Sequence, residues 1–234
     1  MRSFFILLLA LLLVPPAAHA RLEAGLGLSL AWPQSEFKHN VDFAFGGGAR
    51  IGWGLNAESA AVVTIFGDLN YLNYGRERRI APFSLTVPEV AVDVVTDNYM
   101  FMLSPGVSFG LRNGTIRPYG EFFGGLTYIA TKSRVENRGL PSETIAESTN
   151  LSDFTYNLGF GGGLKLLVWQ KEIDMALTEL REALIDIKLT YIKSGEAEYL
   201  KKGSIEREEG TIYFDPIRSE TDVLQLRIGM AFGF

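Results

Sequence analysis

The chain contains no cysteine, which excludes a disulfide framework, a thiolate metal site and a lipid-modified N-terminal cysteine. It has two histidines, His19 and His39, and they form no cluster at metal-ligand spacing, so neither metal nor cofactor is expected. No apolar run approaches the roughly 20 residues that a membrane-spanning helix requires. Positive charge is also scarce: 22 Lys+Arg stand against 27 Asp+Glu, a net charge of −5, which argues against a nucleic-acid partner. Any passage through a membrane must therefore be made by strands.

The longest apolar run, Phe4 to Val14, follows the single charge of Arg2 and leads into Pro15-Pro16-Ala17-Ala18-His19-Ala20. A charged start, a short greasy stretch and a small-x-small end have the form of a secretory signal peptide. Residues 1–20 are read as that leader, cleaved after Ala20, and 21–234 as one domain. Loss of Arg2 leaves 21 Lys+Arg against 27 Asp+Glu, a net of −6.

The strongest pattern is at the other end. From Leu224 to Phe234 every even position is large and apolar and every odd one is polar or small. Side chains of a strand alternate between faces, so this segment has one greasy face and one wet or crowded face. The same alternation recurs in segments of about ten residues near 21–32, 42–53, 61–72, 97–112, 117–130, 154–168 and 183–193. With the terminal segment that makes eight. An even number of antiparallel strands can close into a ring with no unpaired edge, as lipid demands. The expected fold is all-β: an eight-stranded antiparallel transmembrane up-and-down β-barrel.

Connections after the even strands are mostly short, as at Asn113-Gly114, whereas those at 73–96, 131–153 and 194–222 are long. Barrels keep short turns on the periplasmic side, so both termini are expected there, with four loops outside. The turn over 171–182 is longer than needed, and Ile173, Leu177 and Leu180 have helical spacing; a short helix is expected. The aromatics supply an independent check. Trp32, Phe43, Tyr71, Tyr99, Tyr128, Phe154, Tyr156 and Tyr191 fall at the expected outer strand ends, and Trp53, Phe109, Phe232 and Phe234 at the inner ends. Two girdles of this kind mark the two interfaces of a lipid bilayer.

By its alternating strands, by Arg117-Pro118-Tyr119-Gly120 opening the fifth and by the terminal strand closing on Phe234, the chain resembles the small eight-stranded outer-membrane barrels. That group includes the OmpA transmembrane domain, OmpX and OmpW. The resemblance covers the whole of 21–234. It implies an integral protein of the bacterial outer membrane in contact with outer-membrane lipid and lipopolysaccharide. It also implies periplasmic chaperones and the barrel-assembly machinery as partners during biogenesis, with Phe232 and Phe234 as the assembly signal. No peptidoglycan-binding domain follows the last strand, so a tethering role is not expected.

The inward faces carry Glu23, Asp42, Asp68, Glu121 and Asp186 against Arg50, Arg112, Lys165, Lys188 and Arg227. Eight strands leave an interior just wide enough to be filled by side chains, and buried charges need partners. A salt-bridged plug made by Arg50, Asp68, Glu121, Lys165, Asp186, Lys188 and Arg227 is expected in preference to a catalytic site. Inward glycines at 46, 48, 159, 161 and 163 would make room for long basic side chains and Phe66. Met100, Ile129, Ile192 and Val223 lie higher and could form an apolar vestibule. The leading function is non-enzymatic: an envelope-structural barrel whose loops meet an extracellular ligand or surface partner. The alternative is a conduit or binding site for small hydrophobic molecules, as the resemblance to OmpW-like barrels implies. The remote alternative is a lipid A-modifying acyl hydrolase or transferase, for which His39 and Ser35 would have to serve.

Overall fold

The computed structural model describes residues 21–55, 61–82, 91–138, 143–171, 180–208 and 211–234. Its strands are β1 (Arg21–Pro33), β2 (Ala44–Gly54), β3 (Ala61–Pro82), β4 (Ala91–Leu111), β5 (Ile116–Glu136), β6 (Thr144–Gln170) and β7 (Glu182–Ser194). Four short strands follow, β8 (Glu196–Tyr199), β9 (Ile205–Glu208), β10 (Thr211–Phe214) and β11 (Ile217–Glu220), and then β12 (Val223–Gly233). β1 to β7 and β12 form a closed antiparallel barrel, ring order β1-β12-β7-β6-β5-β4-β3-β2. Closure runs first to last, from Glu23↔Gly233 to Pro33↔Val223. Every barrel strand thus has two neighbours, and no edge is left along the greasy belt.

Register follows the alternation. In β12 Gln225 and Arg227 are buried while Ile228 is exposed, and in β1 Leu26 and Leu28 are among the most exposed large apolar residues. A water-soluble barrel would turn these leucines inward; here they form the outer wall.

Four strands are longer than expected. The alternation gives out near Leu72, Asp97, Ala130 and Phe154 because polar and apolar residues no longer keep to opposite faces, but the ladder does not stop there. β3 and β4 stay paired to Pro82↔Ala91 and β5 and β6 to Glu136↔Thr144, so β3–β6 stand beyond the ring as a four-stranded sheet at the end remote from the termini. Bulges adjust this extension. At Asn73/Gly75 the extra residue Tyr74 shifts the register of β3; Tyr74 keeps the inward parity of Asn70 and Leu72, and the shift brings Arg76 and Arg78 onto the outer face.

β2 starts at Ala44 rather than 42, which leaves Asp42 exposed before the strand and outside the lumen. The long connection 194–222 makes two small antiparallel pairs, β8 with β11 and β9 with β10. The first connection holds a single 3-10 turn, Phe37–His39. The helix expected over 171–182 falls, for 172–179, outside the described residues.

Candidate functional site in the barrel lumen

The inward residues stack in layers because each strand contributes one inward side chain every second residue. At mid-height Arg50 (β2), Asp68 (β3), Glu121 (β5), Lys188 (β7) and Arg227 (β12) converge. Asp68 accepts from Arg50 Nε at 3.1 Å, Lys188 Nζ at 3.0 Å and Arg227 Nη1 at 2.9 Å. Glu121 accepts from Arg50 Nη2 at 2.6 Å and Lys188 Nζ at 3.2 Å. Glu121 is 0 % exposed and Asp68 3 %. Burial at this level is tolerable only because each carboxylate meets two or more cations. The Arg50 guanidinium also lies 3.7 Å from the centroid of the Phe66 ring, which replaces part of its lost hydration.

Two expected members of that cluster lie elsewhere. Lys165 bonds both carboxylate oxygens of Glu23 at 2.5 and 2.6 Å, and Asp186 accepts from the Tyr119 hydroxyl at 2.6 Å. Both sit nearer the termini, one layer below: Asp186 lies two residues before Lys188 on β7 and pairs in the ladder with Lys165, whereas Lys188 pairs with Gly163. Arg50, Lys188, Arg227 and Lys165 stand against Asp68, Glu121, Glu23 and Asp186, four of each sign. A void of about 10 Å³ between Glu23, Arg50, Asp186 and Arg227 has room for about one water molecule.

Lower still, Arg117 grips Glu182 with two parallel bonds of 3.0 and 2.9 Å, a pair not foreseen from the sequence. Arg112, expected within the lumen, lies past the end of β4 beside a cavity of about 70 Å³ at the mouth near the termini. Burial, and then the neighbouring Arg21, Arg117 and Arg181, hold its guanidinium below the ordinary arginine range.

Above the charge cluster a neutral polar layer takes over. Asn70 donates to Asp68 at 2.6 Å, and Gln225 donates to Ser29 at 2.7 Å and to Asn70 at 2.9 Å. Across the lumen Ser104 donates to Asn157, which donates to Thr127. A β-carbon at Gly48 would lie 2.6 Å from the Leu69 carbonyl oxygen and would displace the Arg227 guanidinium. Gly159 makes room for the ring of Phe123, and Phe66 is accommodated by Gly106 rather than by the expected glycines.

Met100, Ile129, Ile192 and Val223 do meet in one apolar layer, but it is filled. Phe37 from the first connection, Tyr199 from β8 and Tyr74 from the bulge pack into it. Ring centroids are 5.1 Å apart for Phe37–Tyr199 and 5.6 Å for Phe37–Tyr74. The expected open vestibule is therefore a solid hydrophobic cap, made by connections whose role no alternation pattern could reveal. Tyr199 Oη lies 2.9 Å from Ser219 Oγ and accepts from Asn40 at 3.1 Å.

Asp222 fastens the cap to the barrel rim. Its carboxylate accepts from Ser35 Oγ at 2.9 Å, Tyr191 Oη at 3.0 Å and Ser194 N at 2.8 Å. Ser35 thus gives its hydroxyl to Asp222, and among the described residues it makes no hydrogen bond to His39, as an acyl-transfer pair would need. Asp222→Ala orphans three donors at about 1–3 kcal/mol for each buried one. It should loosen the cap first, so trypsin is expected to cut at the exposed Lys201-Lys202 step faster than in the unmodified protein while the barrel core survives. Unchanged cleavage would show that Asp222 does not hold the cap.

The chain matches the outer membrane protein beta-barrel domain family over residues 4–200. Among solved structures it is similar to the attachment invasion locus protein Ail of Yersinia pestis, crystallised with the heparin analogue sucrose octasulfate (11% identity, 92% of this chain and 99% of that one, TM-score 0.43). Similar too are Neisserial surface protein A (13%, 93% and 98%, 0.38) and a major outer membrane protein of Thermus thermophilus (10%, 92% and 99%, 0.43). No curated relative matches the sequence.

Proposed function

The chain belongs to the outer membrane protein beta-barrel domain family, an integral barrel of the bacterial outer membrane, and from that premise we propose that it is a closed, non-enzymatic barrel. Its roles are to reinforce the envelope and to present the β3–β6 sheet and the 194–222 hairpins for surface interaction. The observation that carries the reading is the filled lumen. An ion entering from the far end meets first the Phe37–Tyr74–Tyr199 cap, then the neutral network, then five mutually paired charges. The seven residues of the salt-bridged set act in two layers, Lys165 and Asp186 below the other five. The four residues of the apolar layer serve as the floor of the cap. Conduction of small hydrophobic molecules would need that cap to leave.

In this reading residues 1–20 are a leader removed after Ala20, and both termini are periplasmic. Two measurements test it. Planar-bilayer recordings of the unmodified protein are expected to give no steady, porin-sized current; such a current would overturn the closed-barrel reading. A Lys202→Cys variant should react with a membrane-impermeant maleimide on intact cells, and labelling only after permeabilisation would reverse the orientation.

A further inference from the structure

The barrel mouth near the termini holds more positive charge than the chain itself neutralises. β4 ends at Leu111, and the chain turns back through Asn113-Gly114, where Gly114 takes a φ of 100°, a conformation that favours glycine. This short turn sets Arg112 and Arg117 on one rim, and Arg117 Nε donates to Gly114 O at 3.0 Å. Arg112 keeps the parity of the inward Ser108 and Gly110 and lines the cavity of about 70 Å³ with them. Arg21 enters the lining from the start of β1, Arg181 from the residue before β7, and Lys165 from β6.

Three of these five cations are already engaged. Arg117 holds both carboxylate oxygens of Glu182, Lys165 holds both of Glu23, and Arg181 is engaged as well. No other acidic side chain lines the cavity among the described residues. The side chains of Arg21 and Arg112 make neither hydrogen bond nor ion pair among the described residues, and Arg112 Nη1 is buried without a partner. Like charge presses on the Arg112 guanidinium from Arg21, Arg117 and Arg181, opposed by Glu182. Deeper in the lumen Arg50, Lys188 and Arg227 each meet a carboxylate. Asp42, which would have balanced Arg112, lies outside the lumen. A buried donor without an acceptor is costly, and here the chain supplies no acceptor.

We propose that this mouth is a binding site for a soluble phosphate group, inorganic phosphate or a small phosphomonoester, with Arg112 and Arg21 as its charged ligands. The cavity has room for about five water molecules, enough for one tetrahedral oxyanion. Guanidiniums present paired N–H donors that match phosphate oxygens. Neutral donors come from another direction: Thr64 and Ser108 are ladder partners on β3 and β4, and both line the cavity. Donors converging from several strands suit a tetrahedral group better than a flat carboxylate. The walls are inward faces of β1, β3, β4, β5 and β6, so access runs along the barrel axis and not through the greasy outer wall. That route favours a dissolved anion over a lipid headgroup. In the orientation proposed above the site faces the periplasm, but binding itself depends neither on orientation nor on closure of the lumen.

The test titrates inorganic phosphate calorimetrically against the folded full-length protein in a non-ionic detergent, with ionic strength held constant by chloride. Saturable binding of a single phosphate is expected, and acetate should bind more weakly. Arg112→Gln should weaken phosphate binding by about tenfold or more, the value of a hydrogen bond to a charged group. Arg21→Gln should weaken it less, since Arg21 is exposed, and Arg218→Gln, an exposed cation on β11, should leave it unchanged. Glu182→Gln removes the nearest negative charge and releases Arg117, so it should tighten binding. Stability separates a ligand from a structural residue. Arg112→Gln should leave the urea midpoint unchanged without phosphate, and should remove most of the stabilisation that phosphate gives the unmodified protein. Phosphate also stabilises proteins by exclusion from their surface, so the difference between the two proteins decides. Binding that does not saturate, equal affinity for acetate, undiminished affinity in Arg112→Gln, a lowered urea midpoint of that variant without phosphate, or weaker binding with Glu182→Gln would overturn the proposal. So would displacement of phosphate by short-chain phosphatidylglycerol at concentrations below those at which phosphate itself binds, which would assign the site to a lipid headgroup.

Discussion

Asp68→Ala should lower the unfolding free energy of the barrel by about 3–5 kcal/mol, the usual cost of removing one side of a buried ion pair. Asp68 is bonded to Arg50, Lys188 and Arg227, and its loss leaves Glu121 alone facing three cations at mid-lumen. Glu121→Ala should cost a similar amount, since Arg50 and Lys188 would then share Asp68 with Arg227. The double substitution should cost more than the two single losses added together. The two carboxylates repel each other and share the same cations, so that only their joint loss leaves Arg50, Lys188 and Arg227 without either one. Urea titration of the folded, heat-modifiable band in lipid vesicles measures each. A water-filled lumen predicts the opposite: large conductance before mutation and almost no change in stability after it, because water would solvate the stranded charges. Losses below about 1 kcal/mol for both single variants, the range of screened surface pairs, would rule out the plug.

Phe234→Asp should sharply reduce the amount of folded barrel in the outer membrane of cells, while folding of the purified chain into synthetic bilayers suffers much less. Phe234 donates its backbone N–H to Leu22 O at 2.9 Å, a bond that any residue could make, so the folded barrel has little use for the ring itself. A receptor that reads the terminal strand during biogenesis would use it. The two assays together separate the possibilities: a normal cellular level removes the assembly role, and an equal loss in synthetic bilayers assigns the ring a structural role. Phe232→Asp should behave in the same way but with some loss in bilayers as well, since Phe232 is paired opposite Ala24 on the outer wall.

The strand count, the closure of β1 on β12 and the outward turn of Leu26, Leu28 and Ile228 could be read from the chain alone. They rest on a period-2 alternation that is a property of consecutive residues, and in lipid nothing competes with it. The inward parity of Arg50, Asp68, Glu121, Lys188 and Arg227 was legible for the same reason. Which of them touch was not, because partners such as Arg50 and Glu121, 71 positions apart, are set by tilt and stagger around the ring, which leave no mark in any one strand. The same stagger matched Arg117 with Glu182.

Beyond the girdle the sequence signal fails for a different reason. β3–β6 continue as strands in water with polar and apolar residues mixed on both faces, so hydrophobicity no longer alternates although the hydrogen-bond ladder does. Phe37 and Tyr199 sit in connections where no period exists, and only the closed ring, by bringing the first connection and β8 over the same opening, turned Met100, Ile129, Ile192 and Val223 from an expected vestibule into the floor of a filled cap. Alternation along single strands thus determined the barrel and its orientation of faces, while contacts between residues far apart in sequence, formed only on closure, decided that its lumen is filled.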